Sequence, residues 1–367
     1  MINVELLKAI CETPGAPGFE QRVRELVLRE ASPLVDEISV DAMGNVIAVK
    51  KGKAPKRVMV AAHMDEIGFI VTHIDEEGFL RFHPLGGFDP KTLTSQRVIV
   101  HGRKDLIGVM GSKPIHLMKQ EERSKQVPIS EYFIDLGMPK KAVEELVAIG
   151  DPITRERHLI EMGDCVNSKS IDNRVSVYIL LEVFRELQGV DVPYDIYGVF
   201  TVQEEVGLRG AISSAHLIDP DFGFGLDVTI AFDVPGAQSH EYVTRLGKGA
   251  AIKIMDGTAI SDYRMVSYLK QLAVKHGIPW QPEILPSGGT DTAGVQRHGK
   301  KGAIAGAISI PLRHIHQTIE MAHKGDIRHC ISLLKAALLE LDAYNWSFDN
   351  KGDGGGPKKT DDIYGML

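Results

Sequence analysis

At 367 residues the chain has room for one large domain or two ordinary ones, and its 43% hydrophobic and 25% charged residues are those of a globular protein. A formal net charge of −7 with no Lys/Arg-rich run argues against nucleic-acid and anionic-membrane partners. No apolar run approaches the roughly 20 residues of a membrane span, the N-terminus shows no secretory pattern, and three widely spaced cysteines, Cys11, Cys165 and Cys330, read as free thiols in a reducing, cytoplasmic setting.

Residues 4–12 and 19–30 read as helices, split by Thr13-Pro14-Gly15-Ala16-Pro17-Gly18. Val58–Ala62 is a short, continuous apolar run, the pattern of a strand buried on both faces. Beyond residue 72 come short strand-like runs at Phe79–Phe82, Arg97–His101, Ile107–Gly111 and Tyr132–Leu136, separated by Gly, Pro and charged turns. Lys119–Lys125 reads as a solvated hairpin tip or loop. Residues 73–162 are therefore expected to form a β-rich domain inserted into a first domain made of 1–72 and 163–345, with 346–367 as a tail. The Gly/Lys/Asp-rich stretch Asp349–Asp362 in that tail has the composition of a flexible segment. After the insert, Asn173–Gln188 has helical periodicity with Asp172 at the N-cap position. Strands are expected at Ile196–Val202, Gly223–Val234, Gln281–Leu285 and Ala303–Ile310, and helices at Asp262–Lys275 and Lys324–Tyr344. Alternating strands and helices predict an α/β fold, a mostly parallel sheet covered on both faces, with ligands beyond the C-terminal strand ends.

Metal-ligand residues gather near those ends. His63 and Asp65 follow the first buried strand. Being two apart, they point the same way in an extended segment, so Asp65 can orient His63. Asp172 can serve as a helix cap, or its two oxygens can lie between two metals held roughly 3.5–4 Å apart. Glu204 and Glu205 follow an apolar strand. Without a metal they would repel each other at a partly buried site, and their side chains diverge, so one can bind metal while the other faces substrate. Asp227 and Asp233 are alternatives from spacing alone, as are His314 and His316. His73, His83, His101 and His158 in the insert have no such company and read as surface residues. Ser287-Gly288-Gly289-Thr290-Asp291 is Gly-rich but has no Lys following, which fits a tight loop lining the cleft rather than a phosphate loop. Two imidazoles and three carboxylates suit a pair of divalent cations such as zinc or cobalt, with one carboxylate left as a base, so hydrolysis is the leading hypothesis.

The chain resembles the tetrahedral metalloaminopeptidases, the family of glutamyl and deblocking aminopeptidases, some of whose members are labelled endoglucanases. The resemblance spans about residues 3–345 and rests on Ala-His-Met-Asp-Glu-Ile-Gly-Phe at 62–69, Thr-Val-Gln-Glu-Glu-Val-Gly-Leu-Arg-Gly-Ala at 201–211, Gly-Gly-Thr-Asp at 288–291 and Ile-Pro-x-Arg-x-Ile-His at 310–316. It implies His63, Asp172, Glu205, Asp227 and His316 as ligands of two divalent metals, with Asp172 bridging. It implies Glu204 as general base and Asp65 as the residue orienting His63. It also implies a three-layer α/β/α catalytic domain with an inserted β-barrel-like dimerisation domain, short peptide substrates, and homo-oligomers from dimers to a twelve-subunit shell. Asn173, His314 and Gln317 depart from the residues common in the family at those positions. Rival readings are a related metal-dependent deacylase or carboxypeptidase, and a non-catalytic oligomeric scaffold. A glycosidase fits poorly, because the carboxylates are consumed as ligands and no separate acid/nucleophile pair is evident.

Overall fold

A computed structural model describes residues 2–349, and most of the segment Asp349–Asp362 singled out above lies outside them. One large sheet runs in the order Glu37–Val40, Val46–Lys50, Tyr194–Thr201, Ala54–His63, Phe222–Ile230, Ile304–Arg313, Glu320–His323, Cys165–Ser168, Ile160–Met162. Ala250–Met255 pairs with Ile304–Arg313 off this path and carries Trp280–Ile284. The four central strands, from Tyr194–Thr201 to Ile304–Arg313, are mutually parallel.

The continuous apolar run at Val58–Ala62 has the predicted cause. Val58, Val60 and Ala62 face a core built with the helices Val4–Glu12, Gln21–Ala31, Ile171–Glu186, Tyr263–Lys275 and Lys324–Leu339. Met59 and Ala61 face a smaller core with Arg209–Ile218 and Asp291–Arg297. Period-two alternation thus puts helices on both faces of the sheet.

A second, closed sheet of six strands forms a barrel in the order Gly68–Ile74, Leu80–Leu85, Phe133–Asp135, Asp105–Gly111, Arg97–His101, Pro152–Arg155. The last strand pairs back onto the first through Phe69↔Ile153. Phe69, Val71, Leu80, Phe82, Val98, Val100, Met110 and Ile134 fill its interior, while Ile107 and Val109 on the same strands point outward. The barrel's first strand starts at Gly68, ahead of residue 73, and Ile160–Met162 belongs to the large sheet.

Several local expectations change. Within Lys119–Lys125, Gln120–Arg123 forms a short exposed helix. His101 is not a free surface side chain: it lies between Asp105 and Thr154, 2.8 Å from each. Asp172 is not a helix cap. Asp172 and Asn173 interrupt Ile171–Glu186 with non-helical backbone angles, and the Asp172 carboxylate faces two imidazoles.

Candidate metal centre

The parallel register brings the site together. Ala54–His63 pairs with Phe222–Ile230 up to Gly225↔Ala61, and beyond the last pair Asp227 Oδ1 lies 3.8 Å from His63 Nε2. Thr201 pairs with His63, which delivers Glu204 and Glu205 at the same edge. Ile304–Arg313 ends on that edge too, and His316 follows three residues later. Gly225 keeps this region tight, since a Cβ there would sit 2.0 Å from Thr292 Oγ1. Gly207 at φ 121° turns the chain from Glu204-Glu205 into the helix Arg209–Ile218.

His63 Nε2 faces Asp172 Oδ1 at 3.3 Å, Glu204 Oε2 at 3.7 Å and Asp227 Oδ1 at 3.8 Å. His316 Nε2 faces the other Asp172 oxygen at 3.2 Å and Glu205 Oε2 at 3.4 Å. The donors fall into three overlapping groups within coordinating reach: His63/Asp172/Asp227, Asp172/Glu205/His316 and His63/Glu204/Glu205. The two open alternatives separate in space. Asp233 is clamped by Arg313 through bonds of 2.8 and 2.7 Å. His314 lines a neighbouring open cavity with Gln96, Arg157 and Gln317.

Asp65, fully buried, lies 3.3 Å from His63 Nδ1 and also accepts the backbone N–H groups of Glu204 at 3.1 Å and Glu205 at 3.2 Å. Neighbouring amides are held the same way: Val202 N–H donates to Asn45 and Gln203 N–H to Glu20. Asn173 donates to the carbonyl of Leu226 at 2.8 Å, tying the Asp172 segment to the strand that carries Asp227. A carboxylate at 173 would have no proton for that bond. Left-handed backbone at Ser170, Gln203, Leu208, His314 and His316 concentrates strain around these residues.

The electrostatics are those of crowded anions. Burial, reinforced by surrounding carboxylates, pushes Glu204 and Asp227 well above the usual carboxylate range and Glu205 up to about 7. Burial would raise Asp172 as well, but the imidazoles of His316 and His63 hold it below that range. Burial works against protonating His316, yet Asp172 and Glu205 raise it to about 10.

The family model for M42 glutamyl aminopeptidases matches residues 44–333. This chain belongs to the M42 glutamyl aminopeptidase family. It is thereby an aminopeptidase, a hydrolase acting on peptide bonds. It is 36% identical to the lysyl aminopeptidase of Pyrococcus furiosus over 93% of this chain and 98% of that one. Among solved structures it is similar to an aminopeptidase from the archaeon Desulfurococcus kamchatkensis, with TM-score 0.88, 39% identity and coverage of 92% and 94% of the two chains. It is also similar to the Pyrococcus horikoshii TET1 peptidase, which can assemble into a tetrahedron or a large octahedral shell, with TM-score 0.83, 33% identity and coverage of 92% and 99%.

The donor set of this M42 chain fits divalent cations. Six carboxyl groups, Asp65, Asp172, Glu204, Glu205, Asp227 and Asp291, crowd around the two imidazoles of His63 and His316. Glu205 Oε1 is buried with no hydrogen-bond partner. Buried anions in such excess call for a cation or for protons.

Sequence reasoning left some members of the site without a role. Asp291 bonds to Thr201, and burial pushes it up to about 6. Its signal was the Gly-Gly-Thr-Asp motif, read only as a cleft loop. Glu320 accepts the N–H of Asp172 at 2.9 Å and is fully buried. Behind the site, Lys169 and Ser170 bond to buried Glu66. Neither Glu320 nor Glu66–Lys169 carried a spacing signal, because their partners lie on other elements.

Proposed function

We propose that this chain is a dinuclear metal-dependent aminopeptidase that removes N-terminal residues from short peptides. His63, Asp172 and Asp227 would hold one cation, and Asp172, Glu205 and His316 the other. The observation that carries this reading is Asp172, with one oxygen toward His63 and the other toward His316. The mixture of imidazole and carboxylate donors favours zinc or cobalt. When bound, the cations would supply Lewis acidity toward a peptide carbonyl and lower the pKa of a water.

The chain's own groups do the rest. Glu204 takes the attacking water's proton on its carboxylate and returns it to the leaving amine. Asp65 lies 3.3 Å from His63 Nδ1, where it can orient the ring, and Nε2 faces the carboxylates. The site's excess negative charge attracts the ammonium of a free N-terminus, and this restricts cleavage to the first residue. The inserted barrel pairs subunits, and dimers close into a shell that admits short peptides. Support comes from the TET1 assemblies and from Ile107 and Val109 exposed on the barrel's outer face. Free Cys11, Cys165 and Cys330 fit a cytoplasmic setting.

The test is chelation followed by titration with zinc or cobalt, assayed on aminoacyl-nitroanilides and their N-acetylated counterparts. Activity should return with two cations per chain and only on free-amine substrates. Cleavage that needs the acetyl group, or turnover that survives complete metal removal, overturns the proposal. Light scattering checks the assembly, and a monomer near 40 kDa, the mass of one chain, excludes it.

A further inference from the structure

We infer that Arg155, a barrel residue, is a positioning residue for the cation site of Asp172, Glu205 and His316, so that the barrel supports one half of the metal centre selectively. This rests on the two-cation reading above. Arg155 ends the barrel strand Pro152–Arg155 and is 4% exposed. Its Nη1 donates to the carbonyl of Gln317, the residue after His316. The same nitrogen lies 3.9 Å from Glu320 Oε1, and the other oxygen of Glu320 accepts the N–H of Asp172. One guanidinium thus reaches the His316 loop through Gln317 and the Asp172 backbone through Glu320, and the side chains of His316 and Asp172 face each other at 3.2 Å.

The His316 loop needs such support. His314 and His316 adopt left-handed backbone at φ 64° and 58°. Non-glycine residues keep that conformation where their surroundings enforce it. The His316 side chain is 41% exposed, against 1% for His63, so packing alone holds it weakly. Thr318 Oγ1 also reaches the inserted domain, donating to the carbonyl of Thr92 at 3.1 Å. The His63 half is built differently. His63 is paired with Thr201 and Asp227 with Ser309 in the parallel sheet, His63 is flanked by Asp65, and Asn173 ties the Asp172 segment to Leu226.

The experiment is calorimetric titration of the metal-free, assembled protein with cobalt, comparing wild type, Arg155→Met, Arg155→Lys and Thr318→Val. Wild type should bind two ions. Arg155→Met should bind one ion about 10–100-fold more weakly, the range for residues that support metal ligands, and the other, which shares Asp172, with a smaller loss. Arg155→Lys should recover part of the loss. Thr318→Val should weaken the same ion alone, by about five-fold for one lost hydrogen bond. If Arg155→Met does not fold by circular dichroism, Arg155→Lys and Thr318→Val carry the test, and wild-type binding of both ions by both variants refutes the inference. Equal weakening of the two ions in Arg155→Met refutes it also. Failure of wild type to bind two ions would instead sink the two-cation reading.

Discussion

Asp65→Asn tests how the site is held together. The carboxylate of Asp65 accepts Glu204 N–H on one oxygen and Glu205 N–H on the other, and lies against His63 Nδ1. Asparagine keeps the shape but replaces one acceptor by an NH2 group. If that group faces Glu205, a donor meets a donor, and a buried amide loses its partner. If it faces Glu204, the same conflict falls there. Leaving one buried donor unsatisfied costs about 1–3 kcal/mol. If that cost falls on the metal-bound form, it corresponds to about 5–150-fold in cation affinity or in kcat/KM. Equilibrium titration with zinc and steady-state kinetics on an aminoacyl-nitroanilide measure the two quantities, and circular dichroism confirms folding. A folded Asp65→Asn enzyme with wild-type affinity and wild-type kcat/KM would refute the argument, since the bonds of Asp65 would then contribute nothing to the centre.

Glu204→Gln keeps size and removes basicity, so kcat should fall about 10²–10⁴-fold with metal content retained; near-normal turnover would place the base elsewhere. Burial pushes Cys11 up to about 12 and Cys330 well above the usual thiol value, whereas Cys165 is raised but partly exposed. Iodoacetamide on the native protein should therefore mark Cys165 first by peptide mass spectrometry, and equally fast labelling of Cys11 would contradict its burial. The hydrogen bond from Arg22, ahead of that with His101, brings the Asp105 carboxyl down to about 2 against opposing burial. A depressed folded pKa stabilises above the unfolded value of about 3.9 and loses that contribution as pH falls toward 2. Both side chains are half exposed, so Arg22→Gln should cost less than about 1 kcal/mol at pH 7, with the gap to wild type closing between about pH 4 and 2 in denaturant melts. A gap that persists at pH 2 would rule out this pair as its source.

Much of the architecture was legible because its signals are local. The run Val58–Ala62 announces a strand covered on both faces, and the break after it announces a change of sheet type. Short strands and single turns gave weaker signals. Val46–Lys50 is too short to stand out beside its charged neighbours, and Gln120–Arg123 is only one turn of helix. Local preference offered Asp172 as a cap, and only the fold shows its carboxylate facing two imidazoles from distant segments.

The chain alone determined the inventory of the site: His63, Asp65, Asp172, Glu204, Glu205, Asp227 and His316 are all the right chemistry near strand and helix ends. Spacing could not choose Asp227 over Asp233 or His316 over His314 as neighbours of that group. The family resemblance implied Asp227 and His316, and the fold brings them there: Asp227 lies 3.8 Å from His63, Asp233 is clamped to Arg313, and His316 turns toward Asp172. The supporting residues Glu320, Arg155 and Asn45 were visible only in three dimensions. A buried polar group must find its partner wherever the fold supplies one, and here the partners lie far away in sequence, from the barrel strand at Arg155 to the loop at Gln317.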